Sequence, residues 1–187
     1  MAWFLSDSLA EYAASADELL RGSPARNTIL LGAAETLRAR GRAAFGGEAP
    51  LFGWWAEPDG EVTAAFLHTP PYQPVLTSMP EWQAAALAQA LAARRRPATG
   101  VNGDEPAAAA FAAAWQQLTG DTVTLAMRSR LYRLGRLRPP QPMPPGQPRP
   151  AGPADRDLLL AWHQAFHHEA HSGGSADFGH QIDDRLS

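Results

Sequence analysis

Residues Pro139 to Pro150 read PPQPMPPGQPRP, seven prolines in twelve positions. Proline donates no backbone N–H and holds φ near about −65°, so neither a helix interior nor a central strand can run through this stretch. Extended polyproline geometry remains, and residues 139–150 are expected to form a semi-rigid spacer. The spacer separates residues 1–138, enough for one ordinary domain, from residues 151–187, too few to bury a core of their own.

Composition narrows the class. Hydrophobic residues are 45% of the chain and charged residues 19%, which suits a globular protein with a real core. The formal net charge is −3 and reads as spread along the chain without blocks. A nucleic-acid binder would carry a concentrated basic face, so no nucleic-acid partner is expected. The absence of cysteine removes disulfides, thiolate metal sites and cysteine nucleophiles together. The start, MAWFLSDSLAEY, lacks a basic leader and meets Asp7 early, unlike a signal peptide. No stretch approaches the ~20 apolar residues of a membrane span. A cytoplasmic protein with no membrane partner is the expectation.

Periodicity orders the first part. Leu9, Tyr12, Ala13, Ala16, Leu19 and Leu20 recur at helical spacing and predict a helix over 6–21, stopped by Gly22 and Pro24. A second helix is expected over 25–40, with Ile29, Leu30, Ala33, Ala34 and Leu37 on one face and Gly41 as its cap. The period then changes. Leu51 to Trp55, the Pro58-Asp59-Gly60 turn and Glu61 to His68 read as a β-hairpin. Trp54 and Trp55, adjacent on a strand, must face opposite ways, one into the core. Pro74 to Thr77 is a short strand candidate.

Ser78-Met79-Pro80-Glu81 reads as a capping box with proline near the first helical position, opening a helix through Trp82, Leu87 and Leu91 to Arg94-Arg95-Arg96. Those three arginines suit a solvated helix end that complements its own dipole, with phosphate attraction as the sharper reading. Ala98 to Asn102 is a further short strand candidate. Asp104 and Pro106 then start a helix carrying Phe111, Ala114, Trp115 and Leu118. Thr122 to Leu134 alternates, with Val123, Leu125, Met127 and Leu131 on one face, and predicts a long half-exposed strand. After the spacer, a helix is expected over 155–169 with Leu158, Leu159, Trp162 and Phe166 inward, and another from about Ala176 to Leu186. The expected class is α/β (α+β): a mixed sheet flanked by helices, plus a helical C-terminal appendage.

This order, with the stretches LFGWW, AAFLHTPP, TGVNGDEPAAAAFAAAWQQLTG and MRSRLYRLGRL before the proline spacer, resembles the N-terminal half of tandem-type bacterial GNAT N-acetyltransferases, with the family's first strand weak or missing. The resemblance spans residues 3 to 187. It implies a GNAT-like domain over 1–138, a linker over 139–150, and the truncated start of a second GNAT domain over 151–187. It also implies acetyl-CoA as cosubstrate, a small-molecule or peptide amine as acceptor, a missing C-terminal acetyltransferase domain as partner, and a homodimer as a possible assembly.

The family's phosphate-binding element, Gln/Arg-x-x-Gly-x-Gly/Ala, uses consecutive backbone N–H groups at a helix start to hold the CoA pyrophosphate. At the corresponding place, Thr77 to Trp82, this chain reads TSMPEW. It has no glycine there, Pro80 supplies no N–H, and Glu81 repels phosphate. The first domain is therefore expected to be a degenerate, non-catalytic scaffold for the acetyltransferase. Two alternatives stay open: acetyl-CoA bound in an altered cleft by Thr77, Ser78 and Asn102, or an interaction module without a small-molecule ligand. Literal motif matches at Arg38–Ala43 and Arg149–Ala154 lie at a helix C-terminus and behind a proline-rich stretch, both poor phosphate cradles.

No nucleophile elbow or serine triad is present. Glu57, Glu61, His68 and Tyr132 are the imaginable acid–base groups, and nothing in the sequence selects among them. His163, His167, His168 and His171, with Glu169 and Asp177, invite a metal reading, but they lack HExxH order and read as an ordinary polar helix surface. No metal is expected.

Overall fold

The computed structural model describes residues 2–170 and 178–186. They fall into two compact units, Met1–Leu134 and Gly135–Ser187.

The first unit runs β1 (Trp3–Ser6), α1 (Leu9–Gly22), α2 (Thr28–Arg40), β2 (Leu51–Ala56), β3 (Val62–His68), β4 (Val75–Leu76), α3 (Glu81–Ala93) and α4 (Glu105–Thr119). The four strands form one antiparallel sheet in the order β1-β2-β3-β4. Both faces are covered, because β2 (LFGWWA) and β3 (VTAAFLH) are apolar at nearly every position and so present apolar side chains on both. On one face Trp55, Ala64, Phe66 and Leu76 meet Leu87 and Leu91 of α3 and Phe111 and Trp115 of α4. On the other, Phe52, Ala65 and Leu67 meet Tyr12, Ala16 and Leu20 of α1 and Leu30, Ala34 and Leu37 of α2. Trp54 and Trp55 face opposite ways: Trp55 is core, and Trp54 stacks on Phe4 at 6.0 Å. The α/β (α+β) class therefore stands.

The sheet departs from expectation in three places. Its first strand is present: Trp3–Ser6 pairs with Phe52–Trp55, over a β2 backbone that comes close because residue 53 is glycine. A Cβ at Gly53 would strike the Phe66 ring and lie 2.7 Å from Leu5 Cδ2 and 2.8 Å from the Phe4 carbonyl oxygen. Ala98 to Asn102 is not a strand; it contributes one parallel bridge, Val75 to Asn102, so the sheet proper is antiparallel instead of mixed. Thr122 to Leu134 forms no strand either, because among the described residues its backbone finds no partner. Alternation supplies two faces but not a neighbouring edge.

The helix starts are also redistributed. The helix expected over 6–21 starts at Leu9 with Ser8 as its cap: the Ser8 Oγ accepts from the Glu11 N–H at 3.3 Å, while the Ser6 hydroxyl donates to the Glu11 carboxylate at 2.5 Å. The box expected at Ser78–Glu81 does not form. Pro80 is the N-cap of α3, and its carbonyl accepts from Gln83 and Ala84 at 3.0 and 3.2 Å. A proline restrains the residue before it to extended backbone, which moves the helix start past Met79 and leaves Ser78 outside. Asp104 caps α4 without a side-chain bond, and Gly120 ends that helix with φ 78°. Asn27 occupies the α1–α2 corner and donates to the Leu19 and Leu20 carbonyls at 3.4 and 3.1 Å.

The second unit contains α5 (Arg156–Glu169) and α6 (Gly179–Leu186). Ala176, expected to open α6, lies outside the described residues. Arg156 grips Asp183 with two bonds of 2.6 and 3.0 Å, and Phe178 and Ile182 are buried. Leu158, Trp162 and Phe166, expected inward, are 49%, 63% and 65% exposed. At 3.6 residues per turn they centre about 120° around the helix from the face carrying Arg156, His163 and His167, to which Asp183 and Phe178 attach.

Candidate functional site

The end of the sheet where β4 leads into α3 is the place that the sequence singled out. Val75 pairs with Asn102 in parallel: the Leu76 N–H donates to the Asn102 carbonyl at 2.8 Å, and the Asn102 N–H to the Pro74 carbonyl at 2.9 Å. Beyond this bridge the two segments enter α3 and α4 separately. Thr77 is buried, and its hydroxyl accepts from the Ala65 N–H at 2.9 Å and donates to the Ala65 carbonyl at 3.1 Å. It completes the β3–β4 pairing with its side chain, so it does not face an open cleft. Ser78 and Asn102 are both exposed. The parallel bridge thus brings Asn102 to the β4 backbone, while the Thr77 side chain is committed elsewhere.

A polar cluster lies beside this end. The register shifts between Trp55 and Ala56, so Trp55 faces Ala64 and Ala56 faces Val62, leaving Thr63 without an opposite residue. Such a bulge re-aims side chains. The Thr63 hydroxyl donates to Glu57 Oε1 at 3.0 Å and accepts from Gln83 Nε2 at 3.1 Å, and Gln83 Nε2 also reaches Glu57 Oε1 at 3.4 Å. The Trp3 indole N–H donates to the Gln83 carbonyl at 2.9 Å. Gln83 is buried, and its Oε1 has no partner among the described residues. Trp82, half exposed, packs edge-on against Trp55 at 5.1 Å. Sequence reasoning named Glu57 only as one of four acid–base candidates and missed Gln83. The pair is 26 positions apart, and only the bulge and the fold join it.

Two carboxylates stand at this end. Glu81 stands in the first turn of α3 and Glu57 is bonded through Gln83 to the same turn. Carboxylates near a helix N-terminus satisfy its dipole, the field a phosphate would otherwise use.

The other candidates are dispersed. Glu61 is exposed on the β2–β3 turn, and Tyr132 is 80% exposed in the unpaired 122–134 segment. His68 is buried at the far end of β3. Burial, with the Arg96 guanidinium nearby, lowers its pKa to about 4, against a hydrogen bond with the Tyr72 backbone that raises it. Arg96 itself donates to the Ala49 carbonyl. Arg94 caps α3, and Arg95 takes φ 51°, turning the chain away from the helix.

At the literal motif matches, the N–H of Gly41 is spent on the Leu37 carbonyl at the end of α2. That of Gly152 is taken by the Asp155 carboxylate at 2.9 Å, which also holds Arg149 at 2.6 Å. The Arg149 hydrogen bond, with that of Gly152, holds the Asp155 carboxyl well below the usual range. A carboxylate therefore already fills the second cradle. The imidazoles of His163 and His167 lie 5.4 and 4.2 Å from the Phe178 ring, an aromatic cluster. His168 is exposed, whereas His171 and Asp177 lie outside the described residues. Among the described residues no group of three His, Asp or Glu side chains is set to hold a metal.

A cavity of about 230 Å³ lies between α1 and α2, with Tyr12, Asp17, Arg21, Glu35 and Arg38 in its wall. Its charges are mutually paired, Arg21 with Asp17 at 2.8 Å and Arg38 with Glu35. No helix among the described residues is long and apolar enough to cross a membrane.

No family model, curated protein or solved structure matches this chain.

Proposed function

We propose that residues 1–138 are a degenerate GNAT-like domain acting as the non-catalytic scaffold of an N-acetyltransferase that moves acetyl from acetyl-CoA to an amine. The observation that carries the reading is the element order: β1, two helices, an antiparallel β2-β3-β4 meander, α3, a segment bridged in parallel to β4 at Asn102, then α4. The resemblance stated from sequence implies this order as far as α4, including the first strand that the sequence left weak; the long strand it implies over 122–134 does not form among the described residues.

The non-catalytic half of the proposal rests on the start of α3. TSMPEW supplies no glycine, Pro80 supplies no N–H, and Glu81 and Glu57 already answer the helix dipole. In this reading the domain supports a catalytic partner domain and helps to shape the amine-binding cleft. Glu57, held by Thr63 and Gln83, is the group suited to an approaching ammonium, because a carboxylate accepts its hydrogen bonds.

Calorimetric titration of acetyl-CoA into the chain tests the scaffold reading. No heat at millimolar ligand is the expected result, and micromolar binding overturns it. A triple variant, S78G, P80G and E81Q, tests the family reading, since it returns backbone donors to α3 and removes a carboxylate. It is expected to acquire measurable affinity for CoA. A folded triple variant as inert as the parent chain counts against a GNAT-type site at this position.

A further inference from the structure

One stretch of the chain gathers positive charge. Residues 122–154 hold six of the 16 basic residues, all of them arginine, and none of the 19 acidic ones. That stretch carries +6 and the remaining residues together −9, so the charge is not spread as evenly as the net −3 made it read. Every residue from 121 to 150 is exposed, in backbone without helix or strand. Arg128 is taken by Glu105 at 2.6 Å and Arg149 by Asp155 at 2.6 Å. Arg130, Arg133, Arg136 and Arg138 make no ion pair among the described residues.

Apolar side chains are threaded among these four. Leu131, Tyr132, Leu134 and Leu137 are 66%, 80%, 71% and 70% exposed. Their order does not suit a shaped groove. On a strand, Leu131 and Leu137 would share a face with Arg133, and Leu134 would share the other with Arg130, Arg136 and Arg138. On a helix, Arg138 would fall between Leu131 and Leu134. Neither geometry yields the apolar face that a sheet edge or a protein groove receives. A fluid surface lets each side chain orient by itself. Leucines enter the acyl boundary, while guanidiniums stay at the headgroups and grip phosphate or carboxylate with paired hydrogen bonds. Nucleic acid would use the arginines but leave three leucines in water, and only Tyr132 could stack on its bases.

We propose that residues 130–138 are a peripheral docking segment for an anionic lipid surface, held by the four arginines and by Leu131, Tyr132, Leu134 and Leu137. Charge and apolar insertion work together here, since either alone holds a protein to a membrane only weakly. Anionic lipids attract basic residues within about one Debye length, ~8–10 Å. The same field repels the acidic remainder of the chain, so this segment alone meets the surface. The sequence suggested no membrane partner because it lacks an apolar span, but a surface contact needs none.

Flotation of the full chain with vesicles tests this, using phosphatidylcholine alone and phosphatidylcholine with about one third phosphatidylserine. Binding is expected to the mixed vesicles only, and to fall as salt is raised. Each arginine is worth about fivefold in binding, so R130Q/R133Q/R136Q/R138Q is expected to lose on the order of a hundredfold or more. L131S/L134S/L137S is expected to lose about tenfold or more while keeping its salt dependence. Both variants should melt as the parent chain does, because every altered side chain is exposed. No flotation with the mixed vesicles overturns the proposal. So does flotation that either variant leaves unchanged, or that pure phosphatidylcholine matches. Single-stranded RNA or duplex DNA that strips the chain from the mixed vesicles at an equal concentration of anionic groups also overturns it, and makes the segment a nucleic-acid surface instead.

Discussion

His68 is 4% exposed and neutral, with an Arg96 guanidinium close by and no hydrogen-bond partner for Nδ1 among the described residues. Its folded pKa of about 4 lies below the ordinary imidazole value of 6.5, so between those values the unfolded chain binds the proton and the folded chain does not. Stability therefore falls as pH drops from about 6.5 to about 4 and is flat in this term above it. The loss is expected to be about 1–2 kcal/mol after solvent screening. Urea unfolding at pH 7 and pH 4.5, on the parent chain and on His68→Gln, checks this. The variant should lose less stability on acidification, and identical pH slopes would refute the assignment. The sequence put His68 among acid–base candidates on residue type alone. What decides its state is burial at the sheet end and then Arg96, 28 residues further on, neither of which spacing reveals. Thr77 teaches the same lesson: its hydroxyl is bonded to the Ala65 backbone, a partner set by long-range pairing that no local spacing reveals.

At the scale of elements, the helix starts make a paired prediction. Ser8 bonds the first turn of α1, whereas Ser78 stands outside α3 behind Met79 and Pro80. Ser8→Ala is expected to lower stability by about 1 kcal/mol, and Ser78→Ala by less than about 0.5 kcal/mol. Thermal melts of both variants check the pair, and equal losses would mean that Ser78 does cap. The two sites share the S-x-x-E pattern and differ in the proline between, so the local rule needed its companion on residues before proline. The hairpin and all six helices were legible, because a clear period and a strong stop signal bound each one. The four-residue strand Trp3–Ser6 was not, because it is too short to display alternation and runs straight into a helix. Residues 98–102 and 122–134 failed in the opposite way. Both look like strands, but being a strand depends on a neighbour's free backbone, which no local pattern encodes.

Across the whole molecule, the chain separates what is packed from what is merely attached in sequence. Every arginine from Arg128 to Arg138 lies in exposed, irregular backbone, and residues 139–150 continue that state. The earlier arginines of the first unit, Arg21 to Arg96, sit instead in or beside helices: Arg21 closes α1, Arg38 and Arg40 close α2, and Arg96 is half buried. Proteases need several residues of extended, yielding backbone, so cleavage should begin where few buried contacts oppose opening. Proline refines the expectation. Arg138 and Arg149 each precede a proline, a bond trypsin cuts poorly, which leaves Arg128, Arg130, Arg133 and Arg136 as the early sites. Brief trypsin treatment at low protein concentration, followed by intact mass measurement, should therefore yield an N-terminal fragment ending between Arg128 and Arg136. That fragment should keep the helical signal and melting temperature of the parent chain. Early cleavage at Arg40 or Arg95 would locate the weak point among the packed helices and strands of residues 3–119 and contradict their description as one packed body.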